Sequence, residues 1–401
     1  MNRPVTHGSV RHRFEAASRI LERLQAHPVP VVLLATLLVL YLRAPDAFQH
    51  PNFWAEDGVV FFRQWQEMGL ASIFEPYNGY LHLAPRLVAA LAGALPLEQT
   101  VMVYFLASLA GACWTGLTIH ISTAPRPLWC PLFLLPFLAL SATEVLASPT
   151  NLQWVLATGL IILLLNPARL AGAALVNALV FVVVAGLSGP FGMFALAAVL
   201  GALVLARVPV TARHVLVLAT LAAVSAVQAV FVVDSYAPSG GSVTVEKAYE
   251  AFFAILRKST GGSVETILIA ITALAGAAVG RDRFLRAGCL LFGVLLTLAI
   301  AVRFAADAEV FPNGVSERYR YVPSVMWLTI LVSLLADTSY RSLRAMAAVC
   351  LVLYAAALVD GQFVRVPRPP IDDWRTAVQA AEQNPVHYRF PPDWRVIVYA
   401  R

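Results

Sequence analysis

The sequence predicts an all-α polytopic membrane protein with about eleven transmembrane helices. Three observations carry that expectation. Hydrophobic residues make up 59% of the 401-residue chain and charged residues only 13%, against about 25% charged in soluble domains. Mean hydropathy is +0.72. Apolar runs near the length of a spanning helix recur along the chain, separated by short loops that carry arginine.

The elements follow in order. Residues 1–28 form a basic N-terminus with Arg3, Arg11, Arg13, Arg19 and Arg23. It reads as a cytoplasmic lead-in to an uncleaved first span, because Tyr41-Leu42-Arg43-Ala44-Pro45 makes a poor signal-peptidase site. Residues 29–359 form the transmembrane domain. Its spans are expected at Val29–Leu42, Thr100–Ser122, Trp129–Leu146, Leu152–Asn166, Leu170–Leu187, Phe191–Ala206, His214–Val233, Ser263–Gly280, Ala287–Arg303, Tyr321–Ala336 and Ala345–Val359.

Charge sets the orientation. Alternate short loops hold Arg126, Arg169, Arg207, Arg213, Arg281, Arg283, Arg286, Arg341 and Arg344. Eleven spans place all of these on the N-terminal side, as the positive-inside rule requires. The N-terminus is then cytoplasmic and the C-terminus extracytoplasmic, in a bacterial inner membrane. Tyr80–Leu95 is apolar but contains His82, Pro85 and Arg86. A crossing there would invert everything downstream, so it is read as a helix on the outer surface.

Four outer elements result: residues 43–99, residues 234–262 with a helical stretch Val245–Lys258, residues 304–320, and the tail 360–401. The tail is too small to build a core alone and should pack against the outer loops.

Some functions are excluded. The net charge of +6 does not signal nucleic acid, since the arginines are scattered and form no basic stripe. Cys113, Cys130, Cys289 and Cys350 all fall in apolar runs, and no CxxC or HExxH occurs. Neither a redox pair nor a zinc site is indicated.

Candidate chemistry collects at the outer ends. Glu56 and Asp57 follow the first span, amid Phe53, Trp54, Phe61, Phe62 and Trp65. An acidic pair at that place is either a solvated turn capping the helix Val59–Met68 or part of a reaction site. The same loop supplies Tyr77, Asn78, Tyr80 and His82, with polar tips on aromatic bodies. Glu144 and Asn151-Leu152-Gln153-Trp154 lie between the third and fourth spans. Arg318, Tyr319 and Arg320 stand where the tenth begins. A guanidinium suits phosphate, so Arg318 and Arg320 either hold a lipid phosphate or snorkel to headgroups.

This layout resembles the GT-C superfamily of polytopic glycosyltransferases, whose donors are polyprenyl-phosphate sugars. The resemblance rests on the position of Glu56-Asp57 in the first outer loop, just past the first span, and on the surface helices of that loop. It implies inverting transfer of a sugar to a cell-envelope glycan or lipid acceptor. In that scheme one carboxylate is the general base and an arginine, Arg318 or Arg320, neutralises the leaving phosphate. Either acid fits; Asp57 is preferred because Gly58 leaves the backbone open to an acceptor. Trp54, Tyr77, Asn78, Tyr80, His82, Glu144, Asn151 and Tyr319 become the expected sugar or acceptor contacts. The paired carboxylates are compatible with a divalent metal, though nothing in the sequence demands one. The rivals are a transporter or flippase of lipid-linked sugars and a non-catalytic envelope-assembly subunit. Transporters place ionisable groups at mid-membrane on broken helices, whereas the spans read here are nearly free of charge.

Overall fold

Helix α7, Leu152–Leu164, is buried at all thirteen positions. A helix apolar all round has no solvent face, so its neighbours must enclose it. Those neighbours are α5 (Thr100–Thr123), α8 (Ala173–Gly186), α9 (Phe191–Ala206), α13 (Arg283–Phe304) and α14 (Arg318–Ala336). The computed structural model describes residues 28–123, 131–167, 170–234, 244–304, 317–337, 340–360, 363–365, 367 and 372–399. The basic N-terminus, Arg126, Arg169, Cys130 and most of the loop 304–320 lie outside these.

Before the bundle come α1 (Pro28–Arg43), α2 (Pro45–Gln49), α3 (Arg63–Met68) and α4 (Leu83–Gly93). A four-residue α6 (Leu135–Leu138) precedes α7. After α9 come α10 (Ala212–Asp234), α11 (Val245–Thr260), α12 (Ser263–Ala278) and, past α14, α15 (Arg341–Val359).

Among the described residues, five helices are long and apolar enough to cross a membrane: Leu97–Thr123, Ala212–Val232, Arg283–Phe304, Arg318–Ala336 and Arg341–Val359. A sixth crossing results if α11 and α12, bent by 88° at their junction, count as one. This is a mostly helical, multi-pass membrane architecture. Helices α1, α7, α8 and α9 run 13 to 16 residues, or roughly 20–24 Å, short of a hydrocarbon core of about 30 Å. Helix α4 has 11 residues, roughly 16 Å, and belongs with these short apolar helices.

One expected span is not a continuous helix. Of Trp129–Leu146, the described part is a short helical piece, Leu132–Leu138, followed by turns. Pro131, Pro136 and Pro149 remove backbone donors, and Ser141 and Ala147 adopt left-handed φ values of 58°. The chain still runs back along the bundle. Gly111 of α5 faces Leu152 and Gly159 of α7 faces Thr115, so the two helices are parallel and the piece between them must return.

An irregular segment inside an apolar bundle needs partners for its backbone groups. Side chains supply them. The Tyr321 hydroxyl donates to Pro136 O at 2.8 Å. Arg43 Nη1 donates to Phe137 O and Ala139 O, both at 2.8 Å. Leu140 N donates to the Tyr354 hydroxyl at 2.7 Å and Arg365 Nη1 to Leu146 O at 2.8 Å.

The tail also departs from an all-α fold. Helix α16 (Trp374–Ala381) leads into a hairpin of β1 (Val386–Phe390) and β2 (Trp394–Val398), paired antiparallel with Tyr388 opposite Val396. Alternation explains it: Tyr388, Phe390, Val396 and Val398 point inward. As expected, the tail packs on the loop after the first apolar helix. Phe53, Phe62, Tyr104, Trp374, Tyr388 and Phe390 form a second core, and Trp374 Nε1 donates to Leu97 O at 3.0 Å.

Candidate active site

The chain turns sharply before the acidic pair. Ala55 takes a left-handed φ of 47°, held by its N–H bond to Pro391 O in the tail at 3.0 Å. A π-helical stretch, Asp57–Phe62, then runs into α3. Both carboxylates of the turn meet Thr150.

Asp57 is fully buried. It accepts from Thr150 N at 2.8 Å, from Trp54 N at 3.3 Å and from the Ser148 hydroxyl at 3.4 Å. Burial pushes its carboxyl well above the usual range, with the Thr150 and Trp54 N–H bonds opposing and the Glu56 charge adding. Asp57 therefore ties the first loop to the turn before α7. Gly58 is not open to an acceptor: a Cβ there would lie 2.4 Å from Phe390 Cζ. The glycine makes room for the tail, which removes the reason for preferring Asp57 as base.

Glu56 shares Thr150 with Asp57 but also meets Arg318. Its side chain accepts from the Thr150 hydroxyl at 3.4 Å and lies 3.8 Å from Arg318 Nη1. The same Arg318 nitrogen lies 3.5 Å from Glu144, and Arg318 N donates to Glu144 at 3.4 Å. Glu56 is itself buried at 8%; its side chain is 11% exposed, those of Glu144 and Arg318 17% and 23%. Arg318 also sits over the Tyr319 ring, 5.5 Å from its centroid. The Thr143 hydroxyl bonds Glu317 and so anchors the strip carrying Glu144 to the start of α14.

Aromatic residues wall this cluster. Tyr77 and Tyr80 lie within electrostatic reach of Glu56, Arg318 and Tyr319; burial raises both hydroxyls. His82 stacks on Tyr80 with centroids 4.4 Å apart. Burial, then the Arg86 charge, lowers His82 to about 3, so its ring is neutral.

Other expected contacts are tied up in holding the structure. Arg320 is buried, within electrostatic reach of Glu317, Glu144 and Lys258, and makes no close ion pair with Glu56 among the described residues. Asn151 is buried and spends its amide on Glu144 O at 3.0 Å, closing the turn before α7. Asn78, at φ 51°, forms the tip of the Tyr77–Tyr80 turn. Trp54 lines a cleft with Ala47, His50, Asn52, Phe105 and Arg365. Arg86 clamps the loop from inside, donating to Ser72 O at 2.5 Å and to Gln64 at 2.9 Å.

Sequence reasoning singled out the run Asn151-Leu152-Gln153-Trp154 but missed Ser148 and Thr150 just before it. The signal for them is the polar run that begins at Ser148, between apolar stretches. Among the described residues, no three His, Cys, Asp or Glu side chains gather in a way that could hold a metal ion. Where Glu56 and Glu144 approach each other, the Arg318 guanidinium bridges them.

The arrangement can do two things chemically. A guanidinium held by two carboxylates can exchange one of them for an incoming phosphate. The released carboxylate can then accept a proton. No protein-family model, no curated protein and no solved structure matches this chain.

Proposed function

We propose that this protein is a membrane glycosyltransferase. It moves a sugar from a polyprenyl-phosphate donor to a cell-envelope glycan or lipid acceptor on the outer face of a bacterial inner membrane. The observation that carries the reading is the Glu56–Arg318 pair, set among Tyr77, Tyr80 and Tyr319 at the end of an apolar bundle.

The donor phosphate takes Arg318 and so frees Glu56. Glu56 accepts the proton of the acceptor hydroxyl as that oxygen bonds to the anomeric carbon. The bond from that carbon to the phosphate oxygen breaks, and the phosphate keeps the electron pair. Arg318 balances the charge that develops there. Asp57 does not touch the reactants; it positions Glu56 through Thr150.

The test uses the purified protein in lipid vesicles with a panel of polyprenyl-phosphate sugars and an envelope glycan fraction. Transfer should occur with one donor and disappear in Glu56→Gln. No transfer with any donor, or undiminished transfer in Glu56→Gln, would refute the reading. Orientation is checked by a reporter fused after Leu95, which should lie outside.

Transport of a lipid-linked sugar is the second reading. The broken segment Leu138–Asn151 and the 88° bend between α11 and α12 favour it, because transporters use interrupted helices near their substrate. Movement of a labelled polyprenyl-phosphate sugar across the vesicle bilayer, without covalent transfer, would select it.

A further inference from the structure

Three buried polar atoms near the Glu56–Arg318 pair have no hydrogen-bond partner: His82 Nδ1, Gln153 Oε1 and Trp154 Nε1. Their residues are 3%, 6% and 6% exposed. Buried polar atoms are nearly always paired, and each exception asks for an explanation. Three beside one site point to a partner that the chain itself does not supply.

The three surround the same aromatic pair. His82 stacks on Tyr80 at 4.4 Å, and the Tyr80 hydroxyl lies beside the Gln153 amide. Trp154 meets the Tyr319 ring edge-on at 5.6 Å. Tyr319 follows Arg318 in sequence, which places the group next to the proposed phosphate position.

The polarity of each atom can be assigned. His82 Nε2 lies 3.2 Å from Tyr77 O, so in the neutral ring that nitrogen carries the proton and Nδ1 accepts. Gln153 Nε2 donates to Thr150 O at 3.3 Å, which leaves Oε1 as an acceptor. The Trp154 indole can only donate. Two acceptors and one donor, uncharged and set on aromatic faces, match the hydroxyls of a sugar ring. A uronic acid ring would bring a further carboxylate beside Glu56 and Glu144.

We propose that His82, Gln153 and Trp154 form a subsite for an uncharged sugar ring whose phosphate lies at Arg318. The proposal deepens the glycosyltransferase reading and rests on it. It adds a substrate class: neutral pentoses or hexoses, with uronates rejected. A site built to bond a hydroxyl discriminates strongly, because a ligand lacking it leaves buried groups unpaired.

The test is binding to the full-length protein in nanodiscs. The probes are polyprenyl methyl phosphate, which has the same charge but no sugar, the glucosyl, galactosyl, mannosyl and arabinosyl polyprenyl phosphates, and the glucuronyl ester. One or more neutral-sugar lipids should bind about tenfold tighter than the methyl ester, and the glucuronyl lipid no tighter. Gln153→Leu and Trp154→Phe should each abolish that gain, and the methyl-ester binding that remains shows that the variants are folded. Equal binding of all lipids, a gain that survives both substitutions, or preference for the glucuronyl lipid would overturn the subsite alone. Failure of even the methyl ester to bind would overturn the phosphate site, and the subsite with it.

Discussion

Phe390 occupies the space over Gly58, and a Cβ at that glycine would stand 2.4 Å from the ring. The C-terminal hairpin is thus built into the turn that carries Glu56 and Asp57. Gly58→Ala should destabilise by about 1–3 kcal/mol through overpacking. Phe390→Ala, at a fully buried ring, should cost about 3–5 kcal/mol. Because the two positions touch, the double variant should cost less than the sum of the two. Thermal unfolding in detergent measures all three, and strict additivity would contradict the contact.

The two carboxylates should separate in function. Glu56→Gln should lower transfer by about 10²–10⁴, yet bind polyprenyl methyl phosphate at least as tightly as the wild type. The reason is that it no longer competes for Arg318. Asp57→Asn keeps the shape but weakens the tie to Thr150. It should lower turnover less than Glu56→Gln. The reverse ranking in a transfer assay would reassign the base.

Arg318 and Arg320 should not behave alike. Arg318 makes ion pairs with both Glu56 and Glu144, whereas Arg320 is buried and meets Glu317, Glu144 and Lys258 only at longer electrostatic range. Arg318→Ala should weaken binding of the phosphodiester lipid by about tenfold or more. Arg320→Ala should act chiefly on stability. Titrating both variants with polyprenyl methyl phosphate decides the matter.

Two buried groups give opposite pH dependences. Burial raises Asp57, with the Thr150 and Trp54 bonds opposing. Its favourable contribution is complete below the ordinary carboxylate pKa and is lost as pH rises through the raised value. Burial and then Arg86 lower His82 from 6.5 to about 3. Its contribution is complete above pH 6.5 and is lost as pH falls toward 3. In melting curves across this range, Asp57→Asn should flatten the decline on the alkaline side and His82→Phe the decline on the acid side.

Asp46 and Arg365 make a bidentate pair at 2.7 Å for both contacts. Arg365 also holds Leu146 O, and its backbone N–H bonds Arg43 O at 2.8 Å. This locks the start of the tail to the irregular segment. Removing one partner of a buried pair costs about 3–5 kcal/mol, so Asp46→Asn should lower the melting temperature strongly. It should also lower transfer, since the segment carries Glu144 and Thr150. A melt unchanged from the wild type would show that the lock is dispensable.

Local composition made part of this legible in advance. Apolar runs such as Thr100–Ser122 and Ala345–Val359 became helices because hydrophobicity and length are properties of a single stretch. The amphipathic run after Thr244 became α11, with the threonine capping it. Trp129–Leu146 misled for the same reason. Its composition suits a membrane, but its prolines do not suit a helix, and the Arg43, Tyr321 and Tyr354 side chains that make the irregular path tolerable come from distant helices.

The sequence by itself determined the helical membrane class and the placement of an acidic pair just after the first apolar run. Tertiary structure alone decided which acid is reachable. Thr150 lies 93 positions from Asp57 in sequence, and Arg318 belongs to a helix near the other end of the chain. Burial of one carboxylate and pairing of its neighbour depend on those long-range contacts. The two adjacent acids share Thr150, yet only Glu56 also meets Arg318, and no local pattern of residues records it.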